Sequence, residues 1–350
     1  MPTVAISDES GQTSFAGDVP SASAFPTHPA AWYFFCQEDD LANGPQGRRI
    51  FGRDVVAFRT ARRHVVVLDA RCSHLGADLA CGKVVGETIE CPFHNWRFGD
   101  DGLCREIPAT KQIPAFARQR SYPVAVRHGA VFVFNGSEAT YPLPFFAEEE
   151  PENFVSARAF SYTADAGWPM VTSQGFDTQH FESVHDRRPL RPPELQRVSP
   201  FALRNRMDVE NVGTSVRDRL LRTFVGPAVS MEIWNWGGVN FSVQAKFLRV
   251  CSRFLIFFRP LEDGRTHFDV LVFTRRGLPA LTLPVRRWFT RQHLVSEAMQ
   301  VRGTQYRPSR LIPVDAGMIE CFRWLASIPQ NNGQPEPDAS LLEPSAIAKP

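Results

Sequence analysis

The amino-acid sequence predicts an α+β protein with an all-β unit first and, after it, an antiparallel sheet accompanied by helices. The chain has 350 residues, a length typical of two domains at roughly 150 residues each. Residues 32–134 alternate short β-branched runs with Gly, Asp and Asn turns, a pattern that indicates strands. Longer runs of the same kind predict further strands near 216–225, 228–236, 239–248, 252–260 and 266–275.

The order of these patterns divides the chain into four predicted segments. Residues 1–25 are small and polar and predict a flexible leader, and residues 26–140 form the first domain. A Pro- and Glu-rich connection leads to a second domain at 150–328. Residues 329–350 are rich in Pro, Gln, Asn and Glu and predict a disordered tail.

Charge and hydropathy exclude several classes of protein. With 39 Lys plus Arg against 37 Asp plus Glu, the net charge of +2 argues against binding nucleic acid through a positive field. No apolar run approaches the ~18 residues that a membrane span needs. The start of the chain lacks the basic and apolar regions of a signal peptide, so we expect a cytoplasmic protein.

Three helices are predicted in the second domain. The first covers about 170–186, and the second runs from about Pro284 to Val301. The second helix carries an apolar stripe that we expect to face the interior, composed of Val285, Trp288, Phe289, Val295 and Met299. The third helix begins at Asp315, a residue type suited to an N-cap.

Two short motifs in the first domain each offer a thiol and an imidazole. Residues 72–74 read Cys-Ser-His and residues 91–94 read Cys-Pro-Phe-His. Facing loops of this kind would supply Cys72, His74, Cys91 and His94, the ligand types of a Rieske [2Fe-2S] cluster. A structural zinc site needs the same ligand types and is the alternative. The remaining five cysteines do not fit this pattern.

A second group lies on the first predicted helix of the second domain. Residues 177–185 place Asp177 three residues before His180, and His185 five residues after it. Two histidines and a carboxylate are a common ligand set for ferrous iron in oxygenases, although such spacing also occurs on ordinary helices.

Together the two motifs identify a resemblance to the Rieske non-haem iron oxygenases, specifically the oxygenase component of the single-chain monooxygenase and demethylase type. The resemblance covers about residues 30–328 and includes Asp100-Asp101-Gly102 and Ile107-Pro108, while Asn95 stands where the family usually has Gly. It implies a helix-grip catalytic domain, a [2Fe-2S] cluster on the four cysteine and histidine ligands, and mononuclear Fe(II) on His180 and His185. It also implies that Asp177 bridges to a cluster histidine of a neighbouring subunit in a homotrimer.

The third iron ligand is where the sequence departs from the family. The expected carboxylate falls on Gln292, which the predicted apolar stripe of the second helix places inward. Gln292 is the favoured ligand, through its amide oxygen, or it lines the pocket while water completes the iron. His293 and Glu297 are further candidates, and Asp315 is better explained as a helix cap.

The resemblance implies an oxidoreductase of the EC 1.14 class that hydroxylates, demethylates or desaturates an apolar or aromatic small molecule with dioxygen. The chain lacks a G-x-G-x-x-G fingerprint and a ferredoxin cysteine run, so a ferredoxin and its reductase, or a fused reductase, must supply electrons. Six basic residues near the cluster motifs are candidates for attracting an acidic ferredoxin: Arg62, Arg63, Arg71, Lys83, Arg97 and Arg105. A non-catalytic electron carrier with a degenerate iron site, and a zinc scaffold, are the alternatives.

Overall fold

A computed structural model describes residues 19–214, 219, 222, 223 and 226–329. This part of the chain forms two compact units, one of Phe34–Thr140 and one of Tyr141–Pro329 together with residues 19–33. Most of the predicted leader, residues 330–350 of the predicted tail and most of the strand expected near 216–225 lie outside the described residues. Residues 219, 222 and 223, the described part of that expected strand, are helical, so the prediction is wrong there. Within the described ranges, no helix combines the length and the apolar character that crossing a membrane requires.

The first unit is built from short antiparallel strands in three small sheets. The sheet orders are β1-β10-β9, β2-β3-β4 and β5-β6-β7-β8. The strands are β1 (Trp32–Gln37), β2 (Gln46–Ile50), β3 (Arg53–Arg59), β4 (Val65–Asp69), β5 (Lys83–Val85), β6 (Thr88–Glu90), β7 (Arg97–Phe98), β8 (Cys104–Glu106), β9 (Val124–Arg127) and β10 (Ala130–Phe134).

The core of this unit explains why both cysteine motifs are held rigidly. Phe58, Leu68 and Phe98 are fully buried in one apolar cluster, and Cys72 and Cys91 belong to the same cluster. Each motif follows a strand of this core: Cys72 comes three residues after the end of β4, and Cys91 comes directly after β6. The packing of the strands therefore fixes where the two thiols lie.

The second unit contains one large antiparallel sheet, which confirms the predicted fold class. The order is β11-β19-β18-β17-β16-β15-β13, with β12 also pairing with β19 and β14 with β15. The strands are β11 (Phe154–Ser156), β12 (Phe160–Ala164), β13 (Arg187–Pro189), β14 (Glu194–Ser199), β15 (Ala202–Asn211), β16 (Ala228–Trp236), β17 (Asn240–Phe247), β18 (Cys251–Pro260) and β19 (Thr266–Arg275). The last four agree closely with the strands expected from the sequence.

The helices α1 (Trp168–Ser173), α2 (Thr178–Ser183), α3 (Leu283–Gln300) and α4 (Ala316–Ser327) accompany this sheet. The helix predicted over 170–186 is two short helices separated by a 3₁₀ turn at Gln174–Phe176. Asp177 ends this turn and caps α2, because its carboxylate accepts a hydrogen bond from the backbone N–H of His180 at 3.1 Å. Because of this break, α2 is a separate helix and not a continuation of α1.

Asp315 precedes α4 as predicted, but its side chain does not cap that helix. Its two carboxylate oxygens accept hydrogen bonds from the Gln179 side chain at 2.7 Å and from the backbone of Ile312 at 2.9 Å. Asp315 therefore ties the start of α4 to α2, which carries His180.

The core face of α4 gives a direct test of the packing. Phe322 is completely buried and contacts the rings of Phe25 and Tyr306. We expect Phe322→Ala to lower the free energy of unfolding by about 3–5 kcal/mol, since the lost burial is accompanied by a cavity. Urea unfolding measures this, and Leu190→Ala, at a 58% exposed residue, is the matched control with an expected change below about 0.5 kcal/mol.

Candidate functional site

The first cysteine loop turns sharply after β4. The carbonyl of Cys72 accepts a hydrogen bond from the N–H of Gly76 at 2.8 Å, and the N–H of Cys72 donates to the carbonyl of Ala77 at 2.9 Å. Gly76 has a φ of +77°, which glycine adopts without a steric penalty. These bonds fold residues 72–77 into a tight loop that carries His74.

The second cysteine loop repeats the same pair of hydrogen bonds. The carbonyl of Cys91 accepts from the N–H of Asn95 at 3.1 Å, and the N–H of Cys91 donates to the carbonyl of Trp96 at 2.8 Å. Asn95, with a φ of +59°, occupies the position that Gly76 has in the first loop. Asn is among the few residues other than Gly that visit this region, which explains how the chain accommodates Asn95.

Asn95 gives a testable prediction about this loop. Asn95→Gly should retain the loop and change the unfolding free energy by less than about 1 kcal/mol, because glycine accepts the positive φ. Asn95→Val should cost about 1–3 kcal/mol, because a β-branched side chain is strained there. Thermal unfolding of both variants compares the two, and equal midpoints would show that the loop does not depend on this conformation.

The two loops bring the four predicted cluster ligands together. Cys72 and Cys91 are both buried and lie close enough for their thiols to interact. The imidazole rings of His74 and His94 are 4.7 Å apart between centroids, and His74 stacks on Trp96 at 4.4 Å. Nδ1 of His74 is buried and has no hydrogen-bond partner among the described residues.

These observations fit an iron–sulfur cluster. An imidazole nitrogen buried without a partner costs free energy unless something binds it, and a metal ion would do so. Burial and, after it, the neighbouring Cys91 thiol raise the pKa of the Cys72 thiol to about 12. A buried metal would replace these protons, since cysteine binds metals as the thiolate.

The basic residues near the cluster loops are largely neutralised by acidic neighbours. Arg97 contacts Glu90 at 2.8 Å and Glu106 at 2.6 Å, and Lys83 contacts Glu90 at 3.0 Å. Hydrogen bonds from Arg97 and then Lys83 lower the pKa of Glu90. Arg71 and Arg105 are likewise paired, with Asp54 and Asp101. This surface is therefore a mixture of charges and not a purely positive patch.

The second predicted site is formed by α2 and the residues that follow it. His180 lies within α2 and His185 lies two residues beyond its end, so the chain turns between them. The rings are nearly perpendicular, with centroids 4.8 Å apart, and their Nε2 atoms are 3.1 Å apart. A spacing of five residues does not by itself bring two imidazole rings together. His180 and His185 meet because α2 ends between them.

Glu297 on α3 completes this site. Its Oε2 lies 2.9 Å from Nε2 of His180 and 3.1 Å from Nε2 of His185. The three atoms thus form a nearly equilateral triangle with edges of 2.9, 3.1 and 3.1 Å. In an octahedron with bonds of about 2.1 Å, adjacent ligand atoms are about 3.0 Å apart, so the triangle matches one face of such an octahedron.

Electrostatics favour the ionised form of Glu297. Burial alone would raise the pKa of this carboxyl, but hydrogen bonds from His180 and His185 outweigh burial and lower it to about 2. A carboxylate and two imidazoles in a half-buried position are the ligand types of a two-histidine, one-carboxylate iron centre.

Aromatic side chains of the sheet lie beside this triangle. Tyr162 is near enough to Glu297 for that carboxylate to contribute, after burial, to raising the phenol pKa. Tyr162 stacks on Phe268 at 4.5 Å, and Phe268 contacts Phe258 at 4.7 Å. Tyr162, Phe268 and Phe258 therefore form one aromatic cluster, and Tyr162 is its member nearest in effect to Glu297.

Gln292 does not join the site, and the expectation that it faces inward is wrong. Gln292 is exposed, as are Trp288 and Phe289 of the predicted inward stripe. The buried face of α3 instead contains Thr290, Leu294 and, one turn further, Glu297. Most of the large apolar side chains of α3 are exposed to solvent. The apolar pattern therefore predicted the wrong face of this helix to be buried.

His293 is the nearest of the other candidates for a ligand. Its Nδ1 lies 3.9 Å from Oε1 of Glu297, and its ring centroid is 5.3 Å from that of His185. The side chain is 47% exposed and its nitrogen does not belong to the triangle. His293 is thus a neighbour of the site beside Glu297.

Comparisons with known proteins identify the domain that carries the two cysteine loops. The Rieske [2Fe-2S] domain family matches residues 31–117. Aminopyrrolnitrin oxygenase PrnD of Pseudomonas fluorescens is 35% identical over 166 residues, 45% of this chain and 46% of that protein. The oxygenase component of 3-ketosteroid-9-alpha-monooxygenase of Mycobacterium tuberculosis is 32% identical over 234 residues, 61% of this chain and 59% of that protein.

These alignments span about half the length of the curated relatives. A solved structure extends the likeness in fold: dicamba monooxygenase bound to 3,6-dichlorosalicylic acid has a TM-score of 0.69 at 18% identity. That alignment covers 86% of this chain and 97% of the other. Residues 31–117 therefore belong to the Rieske [2Fe-2S] domain family, and the chain shares its fold with that monooxygenase.

Proposed function

We propose that this chain is a terminal oxygenase component that oxidises an apolar or aromatic small molecule with dioxygen. The single observation that carries the proposal is the triangle of His180, His185 and Glu297, whose edges match one face of an octahedral iron site. Three ligands on one face leave the other positions open for dioxygen and substrate. The alternative of a degenerate iron site rested on Gln292 standing where a carboxylate ligand is expected. Glu297 offers a carboxylate in its place, which supports a functional iron site.

In this proposal Cys72, Cys91, His74 and His94 hold the [2Fe-2S] cluster, and His180, His185 and Glu297 hold mononuclear Fe(II). The cluster would supply electrons one at a time and the ferrous ion would activate dioxygen. A hydroxylation consumes one dioxygen, two electrons and two protons and yields the alcohol and water. One relative is named a cholesterol 7-desaturase, and product analysis decides which of hydroxylation, demethylation and desaturation this chain performs.

The protein's own side chains position these groups. Asp177 fixes the start of α2 and so the backbone of His180, and Asp315 holds Gln179 on the same helix. The aromatic cluster that includes Tyr162 would offer a substrate apolar contacts. This cluster supports an apolar or aromatic substrate, in line with the steroid and chlorinated aromatic named for two relatives.

The partners belong to the same proposal. We infer a ferredoxin with its reductase, or a fused reductase, as electron source, and a homotrimer in which Asp177 reaches a cluster histidine of the neighbouring subunit. Leu75 and Phe93, at the two cluster loops, are 65% and 61% exposed and His94 is exposed, which supports a protein contact there. The carboxylate of Asp177 makes a hydrogen bond to the His180 backbone through one oxygen, which leaves acceptor capacity on the other.

A turnover assay tests the proposal. The purified protein, loaded with iron and sulfide, is supplied with a surrogate ferredoxin and reductase, dioxygen and a panel of steroids and aromatic ethers. Substrate-dependent oxygen uptake with an oxidised product supports an oxygenase. Cluster reduction without product from any substrate, in protein that contains its mononuclear iron, would favour the electron-carrier alternative.

A further inference from the structure

An apolar stripe on α3 and the turn before it is exposed to solvent. Its side chains are 56% to 83% exposed and comprise Leu278, Leu281, Val285, Trp288 and Phe289. The spacing of three, four, three and one residues places them on one side of the helix, opposite the face that carries Thr290, Leu294 and Glu297. We call this surface the Trp288 face. Exposed apolar patches of this kind mark surfaces that bind something.

The segment that carries the Trp288 face is basic. Residues 270–296 contain five arginines and no aspartate or glutamate; the arginines are Arg275, Arg276, Arg286, Arg287 and Arg291. Arg275 is paired, with Glu149 at 2.9 Å. Arg286 and Arg287 donate to the backbone carbonyls of Cys251 and Arg158, which leaves their positive charges uncompensated by an acid at those contacts.

A neighbouring turn extends the same character. Arg286 reaches Cys251 at the start of β18, and the turn just before that strand exposes Leu248, 76% accessible, and Arg249. Apolar and cationic side chains therefore occur together on two segments that contact each other. This combination is not limited to one helix.

We propose that the Trp288 face binds the surface of a membrane containing anionic phospholipid. Trp, Phe and Leu side chains suit the boundary between headgroups and acyl chains, and arginines beside them suit anionic headgroups. A two-fold contact of this face with itself would bring the arginines of two copies together, which opposes a symmetric dimer through it. A contact with a different surface of a second copy is the other outcome that the test below distinguishes. The membrane contact is peripheral, since the opposite face of α3, which carries Thr290 and Leu294, is buried in the protein.

Vesicle sedimentation tests this with the full-length, iron-loaded protein. We expect binding to vesicles of phosphatidylcholine mixed with phosphatidylglycerol, little binding to phosphatidylcholine alone, and loss of binding as salt is raised. Trp288→Ser with Phe289→Ser should weaken binding at least about tenfold, because both side chains are lost from the lipid boundary. Leu190→Ser, an equally exposed apolar residue elsewhere, is the control and should bind like the wild type.

Two results would overturn the proposal. One is equal sedimentation of the wild type and the double variant, with the unfolding midpoints confirming that both are folded. The other is absence of vesicle binding by the wild type together with a change in oligomeric mass in the double variant by sedimentation velocity, which would make the Trp288 face a contact between copies. Neither result depends on catalytic turnover, so failure here is distinguishable from failure of the proposed function.

Discussion

Glu297→Gln is expected to empty the second iron site and to lower product formation by at least about a hundredfold. Glutamine has nearly the same size as glutamate, so the packing of α3 changes little. The negative charge that both His180 and His185 approach within 3.1 Å is lost, however, and with it the charge that partly neutralises a ferrous ion. The loss therefore reports on iron binding and not on the stability of the helix.

Iron counting separates the two centres in this experiment. Protein with a full cluster and a mononuclear ion contains about three irons per chain, and the variant should contain about two, with the visible absorption of the cluster unchanged. Gln292→Ala is the matched control on the same helix and should retain all three, because Gln292 is exposed. Retention of three irons by Glu297→Gln and loss of one by Gln292→Ala would reverse the assignment of the third ligand.

The contrast between Gln292 and Glu297 shows which parts of the site a sequence can predict. His180 and His185 are five residues apart, and each cluster loop is a few residues long, so local spacing already indicates their chemistry. The third ligand lies 112 residues from His185 on a helix whose rotation decides which side chain faces inward. Thr290, Leu294, Glu297 and Val301 recur at helical spacing and form the inward face of α3 and its C-cap. The more numerous apolar residues on the exposed face led to the prediction that this face is buried.

The strands likewise divide into those that local sequence predicts and those that depend on contacts in the folded chain. β16 to β19 are long and rich in apolar and β-branched residues, and their positions followed from the sequence. β15 was missed because Asn205, whose side chain is buried, interrupts the apolar alternation. Its amide donates to the carbonyl of Gly175 at 2.9 Å, a contact with the turn before α2 that only the folded chain reveals. β13 and β14 are short and polar and are strands because they pair with β15.

Cys91→Ser is the second change with a large expected effect. Cys91 is buried beside Cys72, and in the proposed cluster it supplies one of two thiolates. We expect the variant to lose the visible absorption and the reduced-state EPR signal of the cluster, and to retain about one iron per chain. Product formation should fall to background, because the remaining ferrous ion has no electron supply within the protein.

The same substitution should also destabilise the unit formed by Phe34–Thr140. Metal binding contributes to folding when the ligands are brought together only in the folded chain, and the buried imidazole nitrogen of His74 would lose its partner. Calorimetry should show a lower unfolding midpoint for that unit, whereas Cys81→Ser, at an exposed thiol, should leave colour, iron and midpoint unchanged. Colourless wild-type protein containing zinc would instead identify the four ligands as a structural zinc site, because zinc binds the same thiolates and imidazoles but carries no electrons.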